Sequence, residues 1–213
     1  MLWYLLRTWH GREEDLAGEI RRTVPPYLYK EVFVICNQRI WRRQGRSIVR
    51  LEPLFKGCVF LTCEKTEPLF RRLEQVPAIS RLIATGSLSV FPLREEDARF
   101  LDQISGKDHV IRLSHVLHEE GKEDGPCIYK ISGPLEDCLD YVEKFQFGKR
   151  FVKLSKRLWG EDLAIYLGIL LKEDLARKIL YENITVSVEM AERYALMKIQ
   201  KDSKGKWIKY RIS

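Results

Sequence analysis

Six cations lie between positions 144 and 157 with no acid among them: Lys144, Lys149, Arg150, Lys153, Lys156 and Arg157. A strand predicted from Lys149 to Leu158 turns Val152, Leu154 and Leu158 to one side and Phe151, Lys153, Ser155 and Arg157 to the other. A basic row beside an aromatic ring can track phosphates and stack on the loop bases of an RNA hairpin, with affinity that falls as salt rises. An ordinary solvated face, with Phe151 covering apolar surface, is an equal reading of the same residues. A second cluster, Arg39, Trp41, Arg42, Arg43 and Arg46 with Arg50, places planar cations around a tryptophan on a predicted hairpin arm. Guanidinium forks suit phosphates and an exposed ring suits an unpaired base, so this arm, with Arg21 and Arg22, is the candidate contact for upstream or non-template DNA. A solvated hairpin with Trp41 packed inward stands beside that reading.

Catalytic chemistry is poorly supplied. His115 and His118 are three apart, but no cysteine or carboxylate completes zinc spacing. Cysteines at 36, 58, 63, 127 and 138 form neither a CxxC pair nor an even set, which predicts buried thiols rather than disulfides or a metal site. Glu95-Glu96-Asp97 opens a helix, where acids complement the dipole. Phosphate-loop, nucleophile-elbow and dinucleotide motifs are missing from the sequence. Neither an enzyme nor a cofactor is therefore expected. The remaining enzymatic alternative is a nucleic-acid-modifying site in the tail, from Tyr181, Glu182, Glu189, Glu192 and Lys198.

These residues need a scaffold. The 213 residues carry a net charge of +7, which favours polyanionic partners, and a 45% apolar content, which can bury a core. No apolar run approaches the roughly 20 residues that cross a bilayer, and Met1 to Leu6 has no positive leader, so a cytoplasmic protein without a membrane partner is expected. Trp3 to Leu6 reads as a strand buried on both faces and Arg12 to Thr23 as a helix, with acids first and Arg21 and Arg22 last, stopped by Pro25-Pro26. Strands follow at 32–35, 39–43, 47–51 and 57–63, with a turn at Gln44-Gly45, then helices at 67–76 and 94–104. The spacing predicts an α+β domain over 1–106, an exposed linker over 107–126, and a small β-barrel over 127–171 with strands at 128–131, 139–145, 150–158 and 162–167. The extension 172–213 reads as a helix at 173–181, a strand at 184–188, and a terminal hairpin from 194–200 and 207–212.

Three segments in order resemble the NusG family of transcription factors. Trp3-Tyr4-Leu5-Leu6 is similar to its opening WYxL strand, and Glu52-Pro53-Leu54-Phe55-Lys56-Gly57-Cys58-Val59-Phe60 to its PLFPGYVFV segment. Gly133-Pro134-Leu135, Val142-Glu143-Lys144, Lys149-Arg150 and Leu167-Gly168-Ile169 resemble the GPL, VxK, KR and LGI sequence of its KOW barrel. The chain departs at Lys56-Gly57-Cys58, where the family has Pro-Gly-Tyr, and at Asp137, where a glycine is expected. The resemblance covers roughly residues 3 to 171, and its barrel spacing looks most like the specialised LoaP-type antiterminators. It implies an N-terminal NGN-type domain that docks on the β′ clamp helices of RNA polymerase, suppresses pausing, and works as a monomer. Carried over by position, the polymerase contact falls on Phe55, Cys58, Phe60 and Leu82, with core packing an equal reading for Phe60 and Leu82. For LoaP-type members it implies a barrel that binds a structured leader RNA; for general members, a barrel that binds ribosomal or termination proteins.

Overall fold

The computed structural model describes residues 1–43, 46–84, 90–120, 126–175, 179–181, 197–201 and 207–211, with the backbone alone at 43, 46, 119, 120, 126, 127, 129, 175 and in the last three segments. Two units emerge, one from Met1–Cys36 with Pro53–Val110 and one from Asn37–Glu52 with Ile111–Ser213. The fold class is α+β.

The first unit is built on β1 (Leu2–Arg7), β2 (Glu31–Phe33), β5 (Cys58–Cys63) and β6 (Val90–Pro92), in the sheet order β2-β5-β1-β6. β1 and β5 run antiparallel with Leu5 opposite Phe60, and both read as unbroken apolar runs because both faces are covered. Tyr4, Leu6, Val59, Leu61 and Cys63 pack in one cluster with Leu16 and Ile20 of α1 (Glu13–Thr23), Leu69 and Leu73 of α2 (Thr66–Glu74), and Ile79 of α3 (Pro77–Leu82). On the other face Trp3 and Phe60 meet Phe33 at ring distances of 5.1 and 5.9 Å, and α4 (Glu95–Ser105) contacts β1. Pro77 was expected only to close a helix. It also opens α3, since a proline in the first turn needs no N–H donor.

The strands β3 (Cys36–Arg43) and β4 (Arg46–Pro53) form the basic hairpin. Expected inside the 1–106 domain, they group from Asn37 to Glu52 with the second unit. The cause is apolar: Ile40 and Val49 share a buried cluster with Leu113 and Leu170. The turn at 44–45 lies outside the described residues.

The second unit continues with β7 (Val110–Ile111), β8 (Ser114–Glu120), β9 (Pro126–Ser132), β10 (Val142–Gln146), β11 (Phe151–Leu158), β12 (Glu161–Leu171), α5 (Lys172–Leu175), β13 (Ile179–Tyr181), β14 (Met197–Lys201) and β15 (Trp207–Arg211). Its sheets run β10-β11-β12-β8-β9-β14-β15 and β13-β4-β3-β7. The 107–126 stretch is not all linker. β8 buries Ser114 and Val116 and pairs in parallel with β12, an alternation obscured by the charge at its far end. The strand expected from Leu139 begins at Val142, because Pro134 opens a 3-10 segment through Tyr141 whose three-residue repeat buries Leu135 and Cys138. Burial pushes the Cys138 thiol up to about 12, which suits an inert core sulfur. In the extension α5 is a single turn, and Ile179–Tyr181 is a strand paired with β4 rather than helix. The terminal hairpin forms with Gln200 opposite Ile208, whereas 184–188 lies outside the described residues. Among the described residues no helix is long and apolar enough to cross a membrane.

Candidate nucleic-acid interface

The β11–β12 hairpin sets Phe151, Lys153 and Ser155 opposite Gly168, Tyr166 and Ala164. One face of β11 buries Val152, Leu154 and Leu158; the other leaves Ser155 and Arg157 exposed. On the outer face Phe151 meets Tyr166 edge-on at 5.4 Å, and the guanidinium carbon of Arg39 lies 5.0 Å over the Phe151 ring. Lys153 Nζ is 2.8 Å from Glu143 Oε2, and hydrogen bonding to that carboxylate raises the lysine's pKa. Arg157 is 3.9 Å from Asp162, whereas Lys156 has the parity of the buried residues and sits 3.8 Å over the Tyr141 ring on the opposite side of β11, so its assignment to this face is corrected. Lys144 and Lys149 are exposed at the near end. The arrangement offers cations and two ring faces on one surface, which is the equipment for phosphate contact and base stacking.

Arg150 departs from this row. It is 4% exposed, in the left-handed region at φ 56°, and its guanidinium turns inward to Asp174. Nε donates to Oδ2 at 2.5 Å and Nη2 to Oδ1 at 3.0 Å, while Nη1 donates to the Phe147 carbonyl. Asp174, fully buried, also accepts from Arg42 Nη2 at 2.8 Å and from the Leu171 N–H at 3.0 Å. Burial opposes the charge on Asp174, but the Arg150, Leu171 and Arg42 donors outweigh it and hold the carboxyl below its usual range. Assigning Arg150 to the RNA face is therefore corrected. The run of charge placed Arg150 in the row; its parity is that of buried Val152 and Leu154, and the left-handed backbone directs it to Asp174.

Two of the hairpin's cations are likewise engaged. Arg39 rests on Phe151 and Arg42 on Asp174, and Trp41, 50% exposed, donates its indole N–H to Glu52 Oε1 at 2.6 Å. The side chains of Arg43 and Arg46 fall outside the described residues. Arg21 and Arg22 stand on α1 in the first unit: Arg21 Nη2 donates to the Val32 carbonyl at 2.7 Å and Arg22 is 2.6 Å from Glu19.

The apolar residues assigned to a partner divide in two. Phe60 and Cys58 are each 1% exposed, and Phe60 is enclosed by the rings of Trp3, Phe33 and Phe55. Direct contact through these two is corrected to a core role, because β5 is an inner strand covered on both sides. Phe55 and Leu82 are only partly buried. Their segments meet at Thr8, whose N–H donates to the Gly57 carbonyl at 2.9 Å and whose hydroxyl donates to the Leu82 carbonyl at 2.6 Å. Beside them Trp9 is 56% exposed. The sequence reading passed over Trp9, although an aromatic placed just after a strand and before Gly11 was a visible signal.

Residues 1–101 match the family model described as transcription termination factor nusG. The chain is 22% identical over 168 residues to a transcription termination/antitermination protein NusG of Campylobacter jejuni, covering 76% of this chain and 91% of that protein. A protein of the same name from Buchnera aphidicola is 24% identical over 173 residues, covering 78% and 91%. Among solved structures, one titled "Domain interaction in Thermotoga maritima NusG" matches at 20% identity and a TM-score of 0.46, over 78% of this chain and 93% of that one.

Proposed function

This chain belongs to the NusG family through residues 1–101, and from that premise we propose that it is an elongation factor that rides on RNA polymerase and promotes antitermination or antipausing. Its named relatives are transcription factors rather than enzymes. It acts in the cytoplasm, as a monomer, by binding and without a cofactor. The first unit docks on the β′ clamp helices through its partly exposed apolar residues Phe55, Leu82 and Trp9, with Phe60 packed against Phe55 from beneath. The second unit contacts a structured leader RNA through Lys144, Lys149, Phe151, Lys153 and Arg157, as a LoaP-type factor would. Arg39, Trp41, Arg42, Arg43 and Arg46 contact upstream or non-template DNA, with Arg21 and Arg22 adding charge from α1.

The observation that carries the RNA reading is the shared face of β11 and β12, where Phe151 and Tyr166 lie among cations. Rings without charge would suit a protein partner, and charge without rings would suit any polyanion; their combination suits unpaired bases held by phosphate contacts. The test is binding of the full chain to stem-loop RNAs from transcript leaders across a salt series. A salt-sensitive affinity that drops when Lys144 and Lys149 become Gln supports the reading. Binding to a ribosomal or termination protein, with no salt-sensitive RNA affinity, replaces it with a general NusG-type role.

A further inference from the structure

Two cations of the β3–β4 hairpin are held by strands and the extension of the same unit whose outer face is the RNA candidate. Arg42 reaches Asp174 at 2.8 Å, and Arg39 lies over Phe151. Three uncharged contacts fasten the same strand: Asn37 Nδ2 donates to the Tyr166 carbonyl at 2.6 Å, Gln38 Oε1 accepts the Leu113 N–H at 3.0 Å, and Gly168 lies flat against the Gln38 carbonyl. A Cβ at Gly168 would overlap that carbonyl and come within 2.6 Å of Leu113 Cδ2. On the hairpin's outer edge β13 pairs in parallel with β4, Leu180 opposite Ile48. Asp174 and β13 both come from the extension beyond residue 171, the part of the chain that the family resemblance leaves unexplained.

We propose that the extension is a latch: Asp174 and β13 clasp the basic hairpin against the rest of its unit and keep Arg42 and Arg39 from nucleic acid until the contact opens. The inference rests on the DNA reading of the hairpin given above. Its logic is competition for one set of charges. The Arg42 Nη2 donor held by the buried carboxylate is released to a phosphate only when that pair opens, and Arg39 occupies a face of the Phe151 ring on which a base would stack. Asp174 is the keystone because it also neutralises Arg150, so the latch is anchored in the core and its outer half, Arg42, is 40% exposed and can leave. A polyanion at the hairpin and an RNA at Phe151 would each favour the open form, so the two ligands assist one another through a shared equilibrium.

The test uses the full chain and two independent ways of loosening the contact: Gly168→Ala, which wedges it sterically without touching a charge, and Asp174→Asn, which removes its anchor. Amide exchange is read at hairpin positions 38–42 and 47–50, with β1 and β5 as the internal control for folding, alongside affinity for a short duplex DNA at low salt. Opening the latch should speed hairpin exchange about tenfold while β1 and β5 stay protected, and should tighten DNA binding by a similar factor, since the competent fraction scales the apparent affinity. If exchange is unchanged in a variant whose β1 and β5 remain protected, the latch is wrong and the DNA reading is untouched. If exchange rises but DNA affinity stays flat, the hairpin does not bind DNA and occlusion fails with it. Should Asp174→Asn lose protection throughout, Gly168→Ala alone decides.

Discussion

The Glu13 carboxylate accepts a hydrogen bond of 2.6 Å from the backbone N–H of Gly57, tying the first turn of α1 to the bend before β5. Sequence reading placed this acid in the first helical turn, where it complements the dipole; it is also only 4% exposed. Burial pushes its pKa up, but the Gly57 and neighbouring backbone donors with nearby His10 more than offset this, so the net shift is downward. A depressed carboxyl stabilises the fold above its unfolded pKa of about 4.3 and loses that contribution as pH falls through its folded value. Glu13→Gln should therefore lower stability at pH 7 by about 1–3 kcal/mol and flatten the acid limb below about pH 4. Urea midpoints measured from pH 7 to pH 3 read both effects.

Gly57 itself tests the same bend. Its φ is +72°, and a Cβ there would stand 2.6 Å from the Thr8 carbonyl oxygen. Gly57→Ala should cost about 1–3 kcal/mol through left-handed strain and that collision. Gly148, with nothing within 4 Å of its would-be Cβ, is the control. Thermal unfolding of Gly148→Ala should match the parent closely, while Gly57→Ala melts several degrees lower.

What the sequence revealed and what it hid have physical reasons. Strands β1 and β5 and helices α1, α2 and α4 were legible because their apolar periods are local and unbroken. The placement of the hairpin was not, since Ile40 and Val49 look like ordinary strand residues until Leu113 and Leu170, far along the chain, close over them. On the candidate RNA face, alternation located Phe151, Lys153 and Arg157 correctly on one side of β11. Arg150 was placed there by its membership of the charge run and not by alternation, which gives it the parity of buried Val152; its partner Asp174 lies 24 residues away, where no period announces it.

The split between Phe60 and Phe55 predicts two different phenotypes. Phe60→Ala empties a fully buried ring site and should cost about 3–5 kcal/mol in stability, measured by urea unfolding. Phe55→Ala and Trp9→Ala remove half-buried or exposed rings and should leave the fold intact. If their surface docks on polymerase, each should weaken binding to purified RNA polymerase by about fivefold or more, the cost of losing an aromatic anchor of at least 1 kcal/mol. Full binding by the double variant would move the polymerase contact elsewhere.

Neighbouring cations on one loop provide the sharpest contrast. Lys149 is exposed, whereas Arg150 spends its guanidinium on Asp174, Glu173 and the Phe147 carbonyl. Arg150→Gln leaves Asp174 buried with Arg42 as its remaining cationic partner, and breaking such a pair costs about 3–5 kcal/mol. Its effect on RNA affinity should vanish once measured at a temperature where the variant is fully folded. Lys149→Gln should do the reverse, leaving the urea midpoint unchanged while lowering RNA affinity and reducing the salt slope by about one phosphate contact. Equal losses of RNA affinity in the two folded variants would return Arg150 to the interface and contradict the inward role drawn from its geometry.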